Sequence, residues 1–99
     1  MNNPEPQKKD VRRFQARISG EVQGVFFRDT TLKKAEQLNI SGWVRNTNNG
    51  CVEVAAEGHR GDLEGFIEFL NEGPLRAKVE NVDVKWEEPE GERGFTVKF

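Results

Sequence analysis

A single cysteine, Cys51, stands in a chain of 99 residues, so no internal disulfide can staple the fold. That removes the usual support of small secreted domains and points to a reducing, cytoplasmic setting. It also excludes a metallochaperone built on two loop cysteines. No arginine follows Cys51 as a cysteine-phosphatase loop requires, so the thiol reads as free and inert. Histidine is equally scarce. His59 lies alone in a Gly58–Gly61 turn with no Cys, His or carboxylate cluster at metal spacing; it reads as a solvated turn residue, and neither metal nor cofactor is expected. No apolar run approaches a membrane span. Met1 to Asp10 carries prolines and charges without an apolar stretch, which excludes a signal or transit peptide and predicts a flexible extension over 1–10 ahead of one domain over 11–99. Nor does one sign of charge dominate: 15 Lys and Arg against 17 Asp and Glu leave a net charge of −2, so no global field draws in nucleic acid or anionic lipid. An anionic ligand has to be captured by local geometry.

What is present is a chain with 34% apolar and 32% charged residues, enough to close one core under a charged surface. From Val11 to Ser19, Phe14, Ala16 and Ile18 alternate with Arg13, Gln15 and Arg17, the period of a half-buried strand. From Phe27 the period becomes helical, with Phe27, Leu32, Ala35 and Leu38 on one face and Asn39 suited to a left-handed stop. Ser41 to Thr47 leads into Asn48-Asn49-Gly50, a hairpin signal, and Val52, Val54 and Ala56 return as the partner strand. Leu63, Phe66, Ile67 and Leu70 then mark a second helix, in which Gly65 either costs stability or marks close packing on the sheet; Glu72-Gly73-Pro74 stops it. Asp62, Glu64 and Glu68 form its solvated face. Val82, Val84 and Trp86 alternate as a further strand, and Phe95, Val97 and Phe99 as a last short one. Trp43, Trp86, Phe66, Phe95 and Phe99 read as core or sheet-face aromatics.

The predicted fold is α+β, a ferredoxin-like α/β sandwich: βαββαβ plus a short C-terminal strand, an antiparallel sheet with two helices on one face. Its other face is left to solvent.

The stretch from Gly20 to Arg28 joins the first strand to the first helix. Unpaired N–H groups and the positive end of the helix dipole meet there, two glycines relax the backbone, and Arg28 offers a forked donor, so the loop is a candidate phosphate site. Taken alone, such a loop fits a plain connection as well, and it lacks the Gly-Lys-Ser/Thr ending of a nucleotide-binding loop. A cation at the positive end of a helix is disfavoured unless an anion lies between. Asn46 alone reads as a residue bonding its own turn.

Together these segments resemble the acylphosphatases. Gly20-x-Val22-Gln23-Gly24-Val25-x-Phe27-Arg28 and Gly42-Trp43-Val44-Arg45-Asn46-x-x-x-Gly50-x-Val52 match the two signature motifs of that family in type and spacing, with Thr31 and Gly73-Pro74-x-x-Ala77-x-Val79 in keeping. The resemblance implies hydrolysis of the carboxyl-phosphate bond of small acyl phosphates, without metal, cofactor or phosphoenzyme. It implies that Arg28 and the backbone around Gly20, Val22, Gln23, Gly24, Val25, Phe26 and Phe27 bind the phosphate. Asn46 would orient the attacking water, with Thr47 and Gly50 supporting it. Arg28 and Asn46 are thus the expected catalytic residues. Phe26 departs from the family pattern, where Gly or Cys is common, and makes the loop rim bulkier; Asn39 stands where Gly is common. The expected partner is a small acyl phosphate, with no nucleic acid or membrane, and the chain is expected to act as a monomer. The alternative is a non-catalytic phosphate- or nucleic-acid-binding ferredoxin-like module, but the central strands lack the aromatic and basic signature of single-strand binders.

Overall fold

The computed structural model describes residues 10–99, so the extension expected over 1–10 lies, Asp10 apart, outside the described residues. The elements are β1 (Val11–Glu21), α1 (Phe27–Gln37), β2 (Ser41–Asn46), β3 (Val52–His59), α2 (Arg60–Glu72), β4 (Lys78–Glu87) and β5 (Phe95–Lys98). One sheet holds all five strands in the order β4-β1-β3-β2-β5, which makes β4 and β5 its two edges.

The first four strands pair antiparallel, as the alternation predicts, whereas β5 lies parallel to β2. The sheet is therefore mixed rather than wholly antiparallel. The reason is topological: β5 reverses direction after β4, but it does so at the opposite edge, where its neighbour β2 already runs the same way. Residues 88–94 must cross the width of the sheet to get there. Glu57 holds that crossing by accepting hydrogen bonds from the backbone N–H groups of Glu90, Gly91 and Glu92.

Both helices cover one face. Phe14, Ala16 and Ile18 of β1, Val44 of β2 and Val52, Val54 and Ala56 of β3 join Phe27 and Ala35 of α1 and Leu63, Phe66 and Leu70 of α2 in a single buried cluster. Each large apolar side chain so buried contributes about 1.5–3 kcal/mol. The face of α1 is Phe27, Thr31 and Ala35, not Phe27 and Leu32. At about 100° per residue, Leu32 lies roughly 140° away from Phe27 and Thr31 only about 40°. Asn39 ends the helix with φ of 59°; its N–H donates to the Glu36 carbonyl and that of Ile40 to the Ala35 carbonyl, the paired bonds of a Schellman stop.

The Gly58–Gly61 turn does not form: β3 runs to His59, which is extended and caps α2 directly. Gly65 marks no close contact, since a Cβ there would meet nothing within 4 Å. Among the aromatics, Phe66 is buried, Phe95 stands edge-on to it at 6.0 Å, and Trp86 stands edge-on to Phe14 at 5.6 Å. Phe99 instead is exposed and lies under Arg28, whose guanidinium carbon sits 4.7 Å from the ring centroid. On the uncovered face, Arg17 and Arg45 both pair with Glu53, their cross-strand neighbour.

Candidate active site

β1 continues two residues past its expected end. A register shift falls between Ser19 and Gly20, and Gly20 pairs with Val79 while Glu21 pairs with Lys78. Gly20 has φ of 126°, and a Cβ on it would come within 2.1 Å of the Lys78 carbonyl oxygen, so only glycine lets the two strands approach here. Val22 then plunges into the core and fixes where the loop leaves the sheet.

The loop proper is short. Gly24 has φ of 75° and Phe26 φ of 63°, so Phe26 holds a left-handed conformation that costs a non-glycine residue about 1–2 kcal/mol. Thr30 holds Phe26 in place: its backbone N–H at 3.0 Å and its hydroxyl at 2.8 Å both donate to the Phe26 carbonyl. Phe26 caps α1 with no side-chain hydrogen bond, and the N–H groups from Gln23 to Phe26 have no acceptor among the described residues. A run of unpaired amides at the positive end of a helix suits an anion.

Arg28 follows in the first turn of α1. Among the described residues it has no carboxylate within 4.0 Å; its guanidinium donates to the Lys98 carbonyl at 3.4 Å and rests on Phe99. Among the described residues no carboxylate is close enough to form an ion pair with it.

Asn46 arrives from β2 by strand parity. Gly42 and Val44 are buried on the helix-covered face, and Asn46, two residues further, points to the same side at the end where α1 begins. Its side chain has no hydrogen-bond partner among the described residues. The turn beyond it is braced: the Thr47 N–H donates to the Cys51 carbonyl at 2.9 Å, the Cys51 N–H to the Thr47 hydroxyl at 3.0 Å, and Gly50 closes the turn with φ of 91°. Gln23 ties loop to hairpin, its amide donating to the carbonyls of Thr47 and Cys51.

These elements meet around a cleft of about 290 Å³ lined by Gly24, Phe26, Phe27, Arg28, Asp29 and Asn46. Of the residues singled out from sequence, Gly24, Phe26, Phe27, Arg28 and Asn46 come together there. Gly20, Val22, Gln23, Val25, Thr47 and Gly50 do not line it. Asp29 lines the cleft without having been anticipated; its only sequence signal is its place next to Arg28. Elsewhere, no group of three or more His, Cys, Asp or Glu among the described residues is placed to hold a metal ion.

The cleft thus sets the Arg28 guanidinium and the helix N-terminus beside one neutral amide, Asn46, and one carboxylate, Asp29. The chain is similar to known proteins over most of its length. The sequence profile of the family described as Acylphosphatase matches residues 14–97. An acylphosphatase from Haloarcula marismortui is 46% identical over 83% of this chain and 90% of its own, and one from Rubrobacter xylanophilus 47% over 91% and 83%. The structure of an acylphosphatase from Coxiella burnetii superposes with a TM-score of 0.89 at 41% identity, covering 92% of this chain and 96% of the other.

Proposed function

This chain belongs to the acylphosphatase family and is a hydrolase of acid anhydrides; from that premise we propose that the cleft lined by Gly24, Arg28 and Asn46 holds the phosphoryl group of a small acyl phosphate and hydrolyses it. The carrying observation is that, among the described residues, unpaired amides, an arginine with no ion-pair partner and an unengaged asparagine border one cleft.

In this reading the N–H groups of the loop and the fork of Arg28 hold the equatorial phosphoryl oxygens, where charge accumulates as the bond to the acyl oxygen breaks. Because these donors are fixed by β1, by the Phe26–Thr30 hydrogen bonds and by the start of α1, little reorganisation is needed in the transition state. Asn46 aligns a water through its carbonyl and amide. An amide cannot take up the proton, so the water oxygen bonds to phosphorus, the P–O(acyl) pair leaves on the carboxylate, and the water proton passes to a phosphoryl oxygen or to solvent. A carboxylate is a good leaving group, so no strong general acid is required.

The products are a carboxylate and inorganic phosphate. We place the enzyme in the cytoplasm on its single cysteine and read it as a monomer; no helix among the described residues is long and apolar enough to cross a membrane. Benzoyl phosphate with EDTA present tests the assignment: release of benzoate and phosphate at an undiminished rate is expected, and no release from the purified chain overturns it.

A further inference from the structure

Phe26 borders two cavities. One is the cleft described above; the other is a groove of about 330 Å³ lined by Val25, Phe26, Thr30, Pro74, Leu75 and Arg76, whose exposed lining is mostly apolar. Phe26 is the residue they share, so the groove adjoins the cleft across its side chain.

Its walls are large apolar side chains left in water. Phe26 is 72% exposed and Leu75 is 100% exposed, two of the four large hydrophobics so placed among the described residues. Phe26 stands there in a left-handed backbone conformation that glycine would adopt freely, and the two Thr30 hydrogen bonds keep it there. A side chain maintained in an unfavourable backbone state, facing solvent beside a reactive site, is a candidate for ligand contact. In-line displacement sets the direction. The leaving oxygen departs opposite the attacking water, hence away from Asn46, and Asn46 lines only the first cleft.

We propose that the groove from Phe26 to Leu75 is the acyl subsite, receiving the aromatic or branched apolar acyl group of the substrate while its phosphate lies in the loop. This rests on the reading of the loop as the phosphate site. Phe26 would present a ring face to the acyl group and Leu75 would close over it, with Val25 and Pro74 as the floor. A two-carbon acyl chain offers these apolar walls a single methyl group, whereas a benzoyl group offers them a whole ring to bury. The enzyme therefore prefers the bulkier acyl phosphate.

The test compares kcat/KM for benzoyl phosphate and for acetyl phosphate in the wild type, Leu75→Ser and Phe26→Gly. Removing either apolar wall is expected to lower the benzoyl-to-acetyl ratio by about three- to tenfold, through KM for benzoyl phosphate more than through kcat. Phe26→Gly can also loosen the loop and depress both substrates together, so the ratio, and Leu75→Ser outside the loop, carry the decision. A ratio unchanged in both variants overturns the subsite. Failure of the phosphate reading looks different: the wild type then hydrolyses neither compound, or Arg28→Ala hydrolyses both as fast as wild type, and the subsite falls with it.

Discussion

The Gln23 side-chain amide donates to the carbonyl oxygen of Cys51 at 2.7 Å, and the same nitrogen reaches the Thr47 carbonyl at 2.9 Å. One side chain thus sets the distance between the loop that carries the unpaired amides and the hairpin that carries Asn46. Both carbonyls keep a backbone partner without it, Cys51 from the Thr47 N–H and Thr47 from the Gly50 N–H. Gln23→Ala is therefore expected to cost only about 1 kcal/mol in urea unfolding, yet to lower kcat by about tenfold because the two halves of the site lose register. Full activity in a variant with that small stability loss would show that the tie is structural only.

Among the described residues Arg28 is the one cation lining the cleft, and no carboxylate, Asp29 of the same lining included, lies within 4.0 Å of it. Arg28→Ala should lower kcat/KM for benzoyl phosphate by on the order of 10³-fold and weaken competitive inhibition by inorganic phosphate. Arg28→Lys should recover only part, since an ammonium lacks the planar fork. Retention of activity within about tenfold in the alanine variant would remove Arg28 from the phosphate site.

Asn46 is expected to act on water rather than on phosphate, so its substitution separates two steps. Asn46→Ala should depress kcat by on the order of 10²-fold while the inhibition constant for phosphate stays within about threefold of wild type. Equal losses in both would place Asn46 among the phosphate ligands.

Two glycines make opposite predictions about stability. Gly20→Ala would drive a Cβ to 2.1 Å from the Lys78 carbonyl oxygen, where backbone must move, and should cost about 3 kcal/mol or more in chemical unfolding. At Gly65, inside α2 with open space where a Cβ would go, alanine should raise stability by about 1 kcal/mol. A neutral Gly20→Ala would contradict the tight β1–β4 approach.

Acid sensitivity is expected from the cluster around Arg13, far along β1 from the cleft. Arg13 is 2% exposed and pairs with Glu57 at 2.7 Å, Glu87 at 2.8 Å and Glu92 at 3.1 Å. Burial by itself would raise the Glu57 carboxyl, but the Glu90, Glu92 and Gly91 N–H groups and Arg13 outweigh it and hold it below the usual carboxylate range. Burial likewise opposes the charge on Arg13, and its carboxylates more than offset that, so Arg13 stays protonated throughout. A carboxyl depressed in the folded state contributes stability that is fully present above its unfolded pKa, about 4.3 for glutamate, and is lost as pH falls through the depressed value. Thermal midpoints should therefore hold steady above about pH 5 and drop steeply below about pH 4. Glu57→Gln should flatten that drop and cost about 3 kcal/mol at neutral pH, because it weakens the pairing of a buried guanidinium.

Much of this was legible along the chain because its signals are local. Alternation in β1 and β3, the Asn48-Asn49-Gly50 turn and the Asn39 stop each depend on residues a few positions apart. Leu32 misled because it is apolar while its angular position is wrong for the core, and Thr31, polar but on the right meridian, took the buried place. The Gly58–Gly61 turn failed for a similar reason. Glycine allows a turn without requiring one, and His59 remained extended up to the first residue of α2.

By itself the sequence determined the element order, the helix-covered face and the two motifs from each of which the cleft takes residues, since periodicity and motif spacing are properties of neighbours along the chain. Only the tertiary structure decided which edge β5 joins, because that depends on the path of residues 88–94 across the sheet. The same path turned Arg13, outward-facing by alternation like Gln15 and Arg17, into a buried cation among Glu57, Glu87 and Glu92. It was also tertiary packing that set Phe26 between the phosphate cleft and the apolar groove, for the far wall of that groove comes from Pro74 and Leu75, brought there by the end of α2.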